Sequence, residues 1–394
     1  MYITISAYHQ KMLSPRVTLL LESITNRLHR FHLLPFLIKK CDNGKLVADC
    51  PAENFAKRYP FQIRYLWAIA PISYQLYFCF QIQHIIADKR GDQSHRFASG
   101  GWVLIFWIGY SWTLSVLVNF WIFEKDVANF ITKFLAIDKT IGVSTGTSTR
   151  SKIEWDFIAC IFYKWLGIIF NGMLVGIHVF NPNYMQYSTS YLTYKENRAL
   201  FVSLTVIDAV TIAVGVVMML YELALQSFYL LSTSQCLVSL RKCNLPFKEK
   251  VRLYTYLQLA NRLHEGCFRM RIPHLTFTLS LCAIVGYIGM IHFHSTFGLF
   301  DLGGMFCFAM GGSVIMMGIL HCFGYIVSGC KKLIRSLKEH GDKKNKVERR
   351  VIKVLHTFGI RDGPIRIMTY DGMYHMAGGT INMLVTILVL LGHT

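Results

Sequence analysis

The chain is 394 residues long, 53% hydrophobic and 16% charged, with a formal charge of +19 and a mean hydropathy of +0.38. Soluble domains carry about 25% charged residues, so lipid rather than an interior core is the place for this much apolar surface. The charge does not indicate nucleic acid, because the basic residues fall between long apolar runs instead of forming one basic domain.

In chain order, the N-terminal stretch MYITISAYHQKMLSPRVTLLLESI lacks a continuous apolar region followed by a small-residue cleavage site, so no cleaved signal peptide is expected. A bilayer core needs about 20 mostly apolar residues per helix. That ruler predicts seven spans, at 65–86, 101–123, 157–180, 200–231, 274–297, 302–328 and 374–392. The expected organisation is an N-terminal region 1–64, helices one to four over 65–231, a connection 232–273, helices five and six over 274–328, a basic connection 329–373, and a last helix with a short tail over 374–394. The fourth run is longer than a bilayer requires, and an extension beyond the membrane is expected on the cytoplasmic side.

Lys and Arg accumulate on the cytoplasmic side of a membrane. Of the 41 here, Arg64 sits at the lip of the first span and Lys164 inside the third; of the rest, 34 fall before the first span or in the second, fourth and sixth connections, and 5 in the first, third and fifth. This split predicts a cytoplasmic N-terminus and, with seven spans, an extracellular C-terminus. It is opposite to the orientation of G-protein-coupled receptors, and none of the eleven Cys lies in an outer connection to form the disulfide common in that class. The string Asn181-Pro182-Asn183-Tyr184 reads as turn chemistry in an outer loop.

The stretch KEKVRLYTYLQLANRLHEGCFRM in the fourth connection places Val251, Leu253, Tyr254, Leu257, Leu259, Ala260 and Leu263 near helical spacing. A cytoplasmic helix is predicted. In the sixth connection a helix with Leu333, Ile334 and Leu337, a break at Gly341-Asp342, and a second helix with Val347, Val351, Ile352 and Val354 lead to the last span. With the long fourth span these segments are expected to form a helical anchor beneath the membrane; the alternative is separate basic helices lying on anionic lipid.

Seven inverted spans, a long basic fourth connection, a very short fifth and a final helix near the C-terminus resemble the insect-type chemoreceptor superfamily of gustatory and odorant receptors. The terminal run Gly379-Thr380-Ile381-Asn382-Met383-Leu384-Val385-Thr386-Ile387-Leu388-Val389-Leu390-Leu391 is similar in frame to the gustatory last-helix pattern. The leading Gly-Thr-Ile matches; Met383-Leu384 replaces Thr-Tyr, and Leu390-Leu391 replaces Gln-Phe. This places the chain as a divergent, gustatory-like member. The resemblance implies a ligand-gated, non-selective cation channel in the plasma membrane, assembled as a homo- or heterotetramer whose last helices line the pore. It also implies a small-molecule tastant or odorant bound in the outer halves of the second to sixth helices, conduction of monovalent and divalent cations, no cofactor and no catalysis.

Asn382, Thr386, Val389 or Leu390, and His393 recur on one face of the last helix. As a pore face they offer uncharged oxygens to a hydrated cation and then an apolar constriction, for which Leu390 is the first choice; the plainer reading is hydrogen bonding between helices. Gly378-Gly379 reads first as a close-packing point and second as a kink. Asp208 and Glu222 lie in the fourth apolar run, where an acid costs roughly 2.5–3.5 kcal/mol and needs a partner or water. Asp208 is a candidate ligand contact or a partner for Lys164 or for a polar group of another helix, whereas Glu222 belongs to a structural network.

Large side chains crowd the outer halves: Trp102, Phe106, Trp107, Tyr110, Phe170, His178, Phe201, Tyr287, His292, His294, Met305, Phe306 and Phe308. They suit a pocket with apolar walls and few polar handles. The candidate ligand set is Trp107, Tyr110, Phe170, His178, Asp208, Tyr287, His292 and Phe306. His292 and His294, two apart on a helix, do not make a metal pair. The competing functions are a seven-helix receptor without conductance, a transporter and an intramembrane enzyme. No inverted repeat favours the second, and no GxSxG, HExxH or paired-acid motif favours the third.

Overall fold

The fold is seen in a computed structural model, which describes residues 15–41, 46–49, 62–87, 93–145, 155–180, 197–295, 297–340, 345–362 and 366–392. Helix α1 (Pro15–Arg30) leads to a hairpin of β1 (Leu37–Lys40) and β2 (Leu46–Asp49). Then follow α2 (Gln62–Ala87), α3 (Gln93–Ile122), α4 (Glu124–Thr145), α5 (Trp155–Phe180), α6 (Arg198–Lys242), α7 (Phe247–Phe268), α8 (Arg271–His292) and α9 (Leu299–His340). The chain closes with α10 (Lys346–Val354), the two-residue strands β3 (Arg361–Asp362) and β4 (Arg366–Ile367), and α11 (Tyr370–Gly392). The motif Asn181-Pro182-Asn183-Tyr184, the break at Gly341-Asp342, and His393 lie outside the described residues.

Among the described residues, α3, α6, α8, α9 and α11 are long and apolar enough to cross a membrane, and α5 carries a shorter apolar stretch, Ile161–Ile177. The chain is therefore a helical membrane protein. Its outward apolar faces fit that solvent: Ile69, Ile72, Leu76 and Phe80 on α2, Trp165, Ile168 and Ile169 on α5, and Val202, Val206 and Val210 on α6 stand exposed. Helix α8 stops at His292, five residues before the predicted end of the fifth span, and Phe293 N caps it on Gly289 O at 3.2 Å. Helices α8 and α9 cross at small residues: a Cβ on Gly286 would stand 2.7 Å from Met305 O, and one on Gly312 3.0 Å from Leu279 O.

At the basic end the long helices continue past their predicted spans. The α6 helix runs to Lys242, and α9 runs unbroken to His340, so Leu333, Ile334 and Leu337 belong to the span's own helix and not to a separate one. The charged helix α4 repeats Val127, Phe130, Ile131, Phe134, Ile137 and Ile141 at three- and four-residue spacing and buries all six. It packs with α7 and the end of α6: Phe130 meets Tyr229 at 5.5 Å and Phe268 at 5.8 Å, and His264 stacks on Tyr229 at 4.2 Å. A helical bundle is thus present at this end.

The bundle also sets the start of α11. On α7, Tyr254 and Gln258 both donate to His356 O, at 2.9 and 2.8 Å, and Asn261 Nδ2 donates to Gly359 O at 3.3 Å. The segment between α10 and α11 is held by these bonds and by the short β3–β4 pairing of Arg361 with Ile367.

Candidate functional site

Between α3, α5, α6, α8 and α9 lies a cavity of about 120 Å³. Small residues open it. A Cβ added to Gly109 or Gly311, both on the wall, would meet nothing within 4 Å. Large side chains line the rest: Phe106, Tyr110, Trp112, Phe170, Phe308, Leu166, Met219, Leu220 and Leu279 among them. Phe170 and Phe308 meet edge to face at 4.7 Å and 76°, an arrangement the ring quadrupoles favour. Polar groups on the wall are few. Thr113 Oγ1 donates to Gly109 O at 3.0 Å, and the thiols of Cys282 and Cys307 are weak donors.

Two buried acids back this apolar wall. On one side Tyr110 stacks flat on Tyr74, with ring centroids 4.9 Å apart and planes 4° from parallel. The Tyr74 hydroxyl donates to Asp208. On the other, Trp112 faces the cavity with its ring and donates from Nε1 to Glu222 Oε2 at 2.7 Å. Glu222 also receives Arg271 through Nε to Oε1 at 2.8 Å and Nη2 to Oε2 at 2.6 Å, and Arg271 Nη1 donates to Ser115. Glu222 and Arg271 are 1% and 4% exposed, so the pair meets the demand that buried charges be matched and hydrogen-bonded. Arg271 had counted as a loop charge in the sequence; it is a buried partner.

Of the ligand residues expected from sequence, Tyr110 and Phe170 line the cavity together. Trp107 is half-buried on α3, its carbonyl accepting from Gln75 Nε2 at 2.9 Å. Asp208 is buried one turn from Ile212, which lines the cavity; Lys164 lies exposed on α5 and does not pair with it. Tyr287 is half-buried between α8 and α9, its hydroxyl 3.6 Å from Met310 Sδ. His292 and Phe306 are exposed, and the side chain of His178 lies outside the described residues.

On α11, Asn382, Thr386, Val389 and Leu390 are all exposed. Thr386 Oγ1 donates back to Asn382 O at 2.8 Å. The inner part of α11 is attached instead, with Thr380 Oγ1 3.3 Å from Ser280 Oγ of α8. Among the described residues nothing packs closely on Gly378-Gly379, since a Cβ at either position would meet nothing within 4 Å.

A helical membrane bundle around one apolar cavity is the class these observations define. No protein-family profile matches the sequence, and no curated protein matches it in sequence. In structure the chain is similar to the insect olfactory receptor OR5 from Machilis hrabei, with a TM-score of 0.66 over 95% of this chain and 98% of that one, at 11% identity. The same receptor in complex with eugenol gives a TM-score of 0.66 over 95% of this chain and 99% of that one, again at 11% identity. The chain has the fold of an insect olfactory receptor.

Proposed function

We propose that the chain is a chemosensory receptor of the insect-type chemoreceptor superfamily that acts as a ligand-gated, non-selective cation channel. The observation that carries this reading is the apolar cavity of about 120 Å³ set among five helices in a fold shared end to end with an olfactory receptor. A dry cavity of about 150 Å³ takes up benzene, so the ligand class is a small, mainly apolar molecule with a ring of that size, contacted by Tyr110 and Phe170 among the expected residues. Weak polar handles leave shape as the main source of selectivity.

In this reading seven helices span the plasma membrane with the N-terminus and the basic bundle in the cytoplasm, supported by the 34-to-5 division of Lys and Arg. Four subunits surround a pore lined by α11. Support comes from the exposure of the outer part of α11 in the single chain, at Asn382, Thr386, Val389 and Leu390 and equally at Ile381, Met383 and Val385, a helix left for lipid, water or neighbouring subunits. Leu390 forms the constriction and Asn382 and Thr386 face hydrated monovalent and divalent cations. The terminal run from Gly379 favours the gustatory branch, and the likeness to the olfactory receptor OR5 favours the odorant branch.

The test is current recorded from cells that lack G-protein signalling and express the chain, alone and with an insect co-receptor, against small aromatic tastants and odorants. Agonist-evoked cation current that changes with Leu390 or Asn382 substitution supports the reading. Robust current indifferent to both substitutions removes the pore assignment, and a cytoplasmic C-terminus in glycosylation-tag mapping removes its topology.

A further inference from the structure

A second, smaller recess lies at the basic end of the bundle, between α6 and α9. Gly329 lets these helices approach, for a Cβ there would stand 3.3 Å from Leu237 Cδ1. The recess opens about 60 Å³ and is walled by Arg241, Lys332, Tyr325 and Ser328 around Leu237 and Val238. Every polar side chain on this wall can donate: a guanidinium, an ammonium and two hydroxyls. No carboxylate lines it.

Among the described residues Arg241 and Lys332 have no ion pair, and the hydroxyls of Tyr325 and Ser328 have no hydrogen-bond partner. Hydroxyls without a partner also occur elsewhere on α6, at Thr233 and Ser234, so what sets the recess apart is the convergence of four donors on one space. The nearby Glu339 is taken by Arg335 at 2.9 Å. Arg241 stands in the last turn of α6, where a cation suits the helix dipole. Lys332 has no such reason, because α9 continues to His340.

Depth supplies the next step. Lys332 follows the predicted end of the sixth span, 328, by four residues, and Arg241 follows that of the fourth, 231, by ten, which is about 6 and 15 Å along a helix. Leu237 lies against Gly329, so Arg241, one turn further, is level with Lys332. Measured from the two span ends, that height puts the recess at and beyond the water-facing edge of the head-group layer, which is about 5–8 Å thick on each side of the hydrocarbon, within reach of monoester phosphates that a head group extends towards water.

We propose that this recess binds a phosphate monoester, as carried on a phosphoinositide head group in the basic-side leaflet. Arg241 forks two phosphate oxygens, Lys332 supplies a point charge, and Tyr325 and Ser328 donate to the remaining oxygens. The proposal rests on α6 and α9 spanning a membrane and not on channel activity.

The test uses the full-length protein in phosphatidylcholine nanodiscs and a fluorescent short-chain phosphatidylinositol 4,5-bisphosphate. Saturable binding is expected, weakened at least about tenfold in Arg241→Gln/Lys332→Gln, with a smaller loss in Tyr325→Phe/Ser328→Ala. Arg349→Gln/Arg350→Gln removes the same charge from α10 and is expected to stay within about twofold of the parent. Competition by soluble inositol 1,4,5-trisphosphate as strong as that by the lipid supports the phosphate site with an aqueous ligand. Failure of that competitor supports the lipid. No saturable binding, no loss in Arg241→Gln/Lys332→Gln, or equal losses in the two charge-removing variants overturns the proposal. All the altered side chains are exposed or at the recess rim, and elution of each variant as the parent species confirms an intact fold.

Discussion

Arg271, the first residue of α8, grips Glu222 of α6 through two bonds of 2.8 and 2.6 Å, directly behind the Trp112 ring that faces the cavity. The pair joins the cavity wall to the turn where the basic bundle hands over to α8. Removing one partner strands the other charge in an apolar interior. Glu222→Gln or Arg271→Met alone is expected to cost about 3–5 kcal/mol, and the double change Glu222→Met/Arg271→Met much less. Thermal unfolding of the purified variants in one detergent checks this; additive losses would show that the pair is not coupled.

The cavity is opened by glycines, which gives a clean way to fill it. At Gly109 an added Cβ meets nothing within 4 Å, whereas at Gly215 it would stand 3.0 Å from Thr113 Oγ1. Gly109→Leu is expected to fold, to reach the cell surface at the parental level, and to raise the half-maximal concentration of any small aromatic agonist about tenfold or more. An unchanged dose response would place the ligand elsewhere.

His264 provides a pH dependence in the basic bundle. Its Nε2 is 2.6 Å from Gln226 Oε1 and so carries the proton, while Nδ1 is buried without a partner. Burial pushes its pKa down from 6.5 to about 3. Between those values the unfolded chain binds the proton and the folded chain does not, so stability falls as pH drops from 6.5 towards 3. Going from pH 6.5 to 5 is expected to remove about 1.6 kcal/mol, and His264→Gln should flatten that slope. Melting curves of both proteins over this range decide it.

The parts of the fold visible in the sequence are those with one strong period or one long apolar run. The length of α6 and the repeat that marks α7 are of this kind. The α4 helix was readable too, from Val127, Phe130, Ile131, Phe134, Ile137 and Ile141, but its interspersed Glu124, Asp126, Lys133 and Lys139 disguised a packed helix as a loop. The N-terminal hairpin, by contrast, has strands of four residues and no alternation long enough to stand out.

The site was less legible, for a physical reason. Large aromatic residues advertise a pocket in sequence, yet Trp107, Tyr287, His292 and Phe306 do not line the cavity, while Gly109, Gly215 and Gly311 do. A void forms where small residues from several helices meet, and no single stretch records that meeting. The partner of Glu222 was hidden in the same way: Arg271 is 49 residues distant and sits in a basic connection.

We propose that this chain conducts cations through α11 when a small apolar molecule occupies the bundle. The most direct measurement is patch-clamp recording of agonist-evoked current from the parent and from Leu390→Ala and Asn382→Ala, expressed with and without a co-receptor at matched surface levels. An agonist-evoked current in the parent, leak in Leu390→Ala, and altered relative permeability to monovalent and divalent cations in Asn382→Ala are expected. Robust current unchanged by both substitutions would contradict the account.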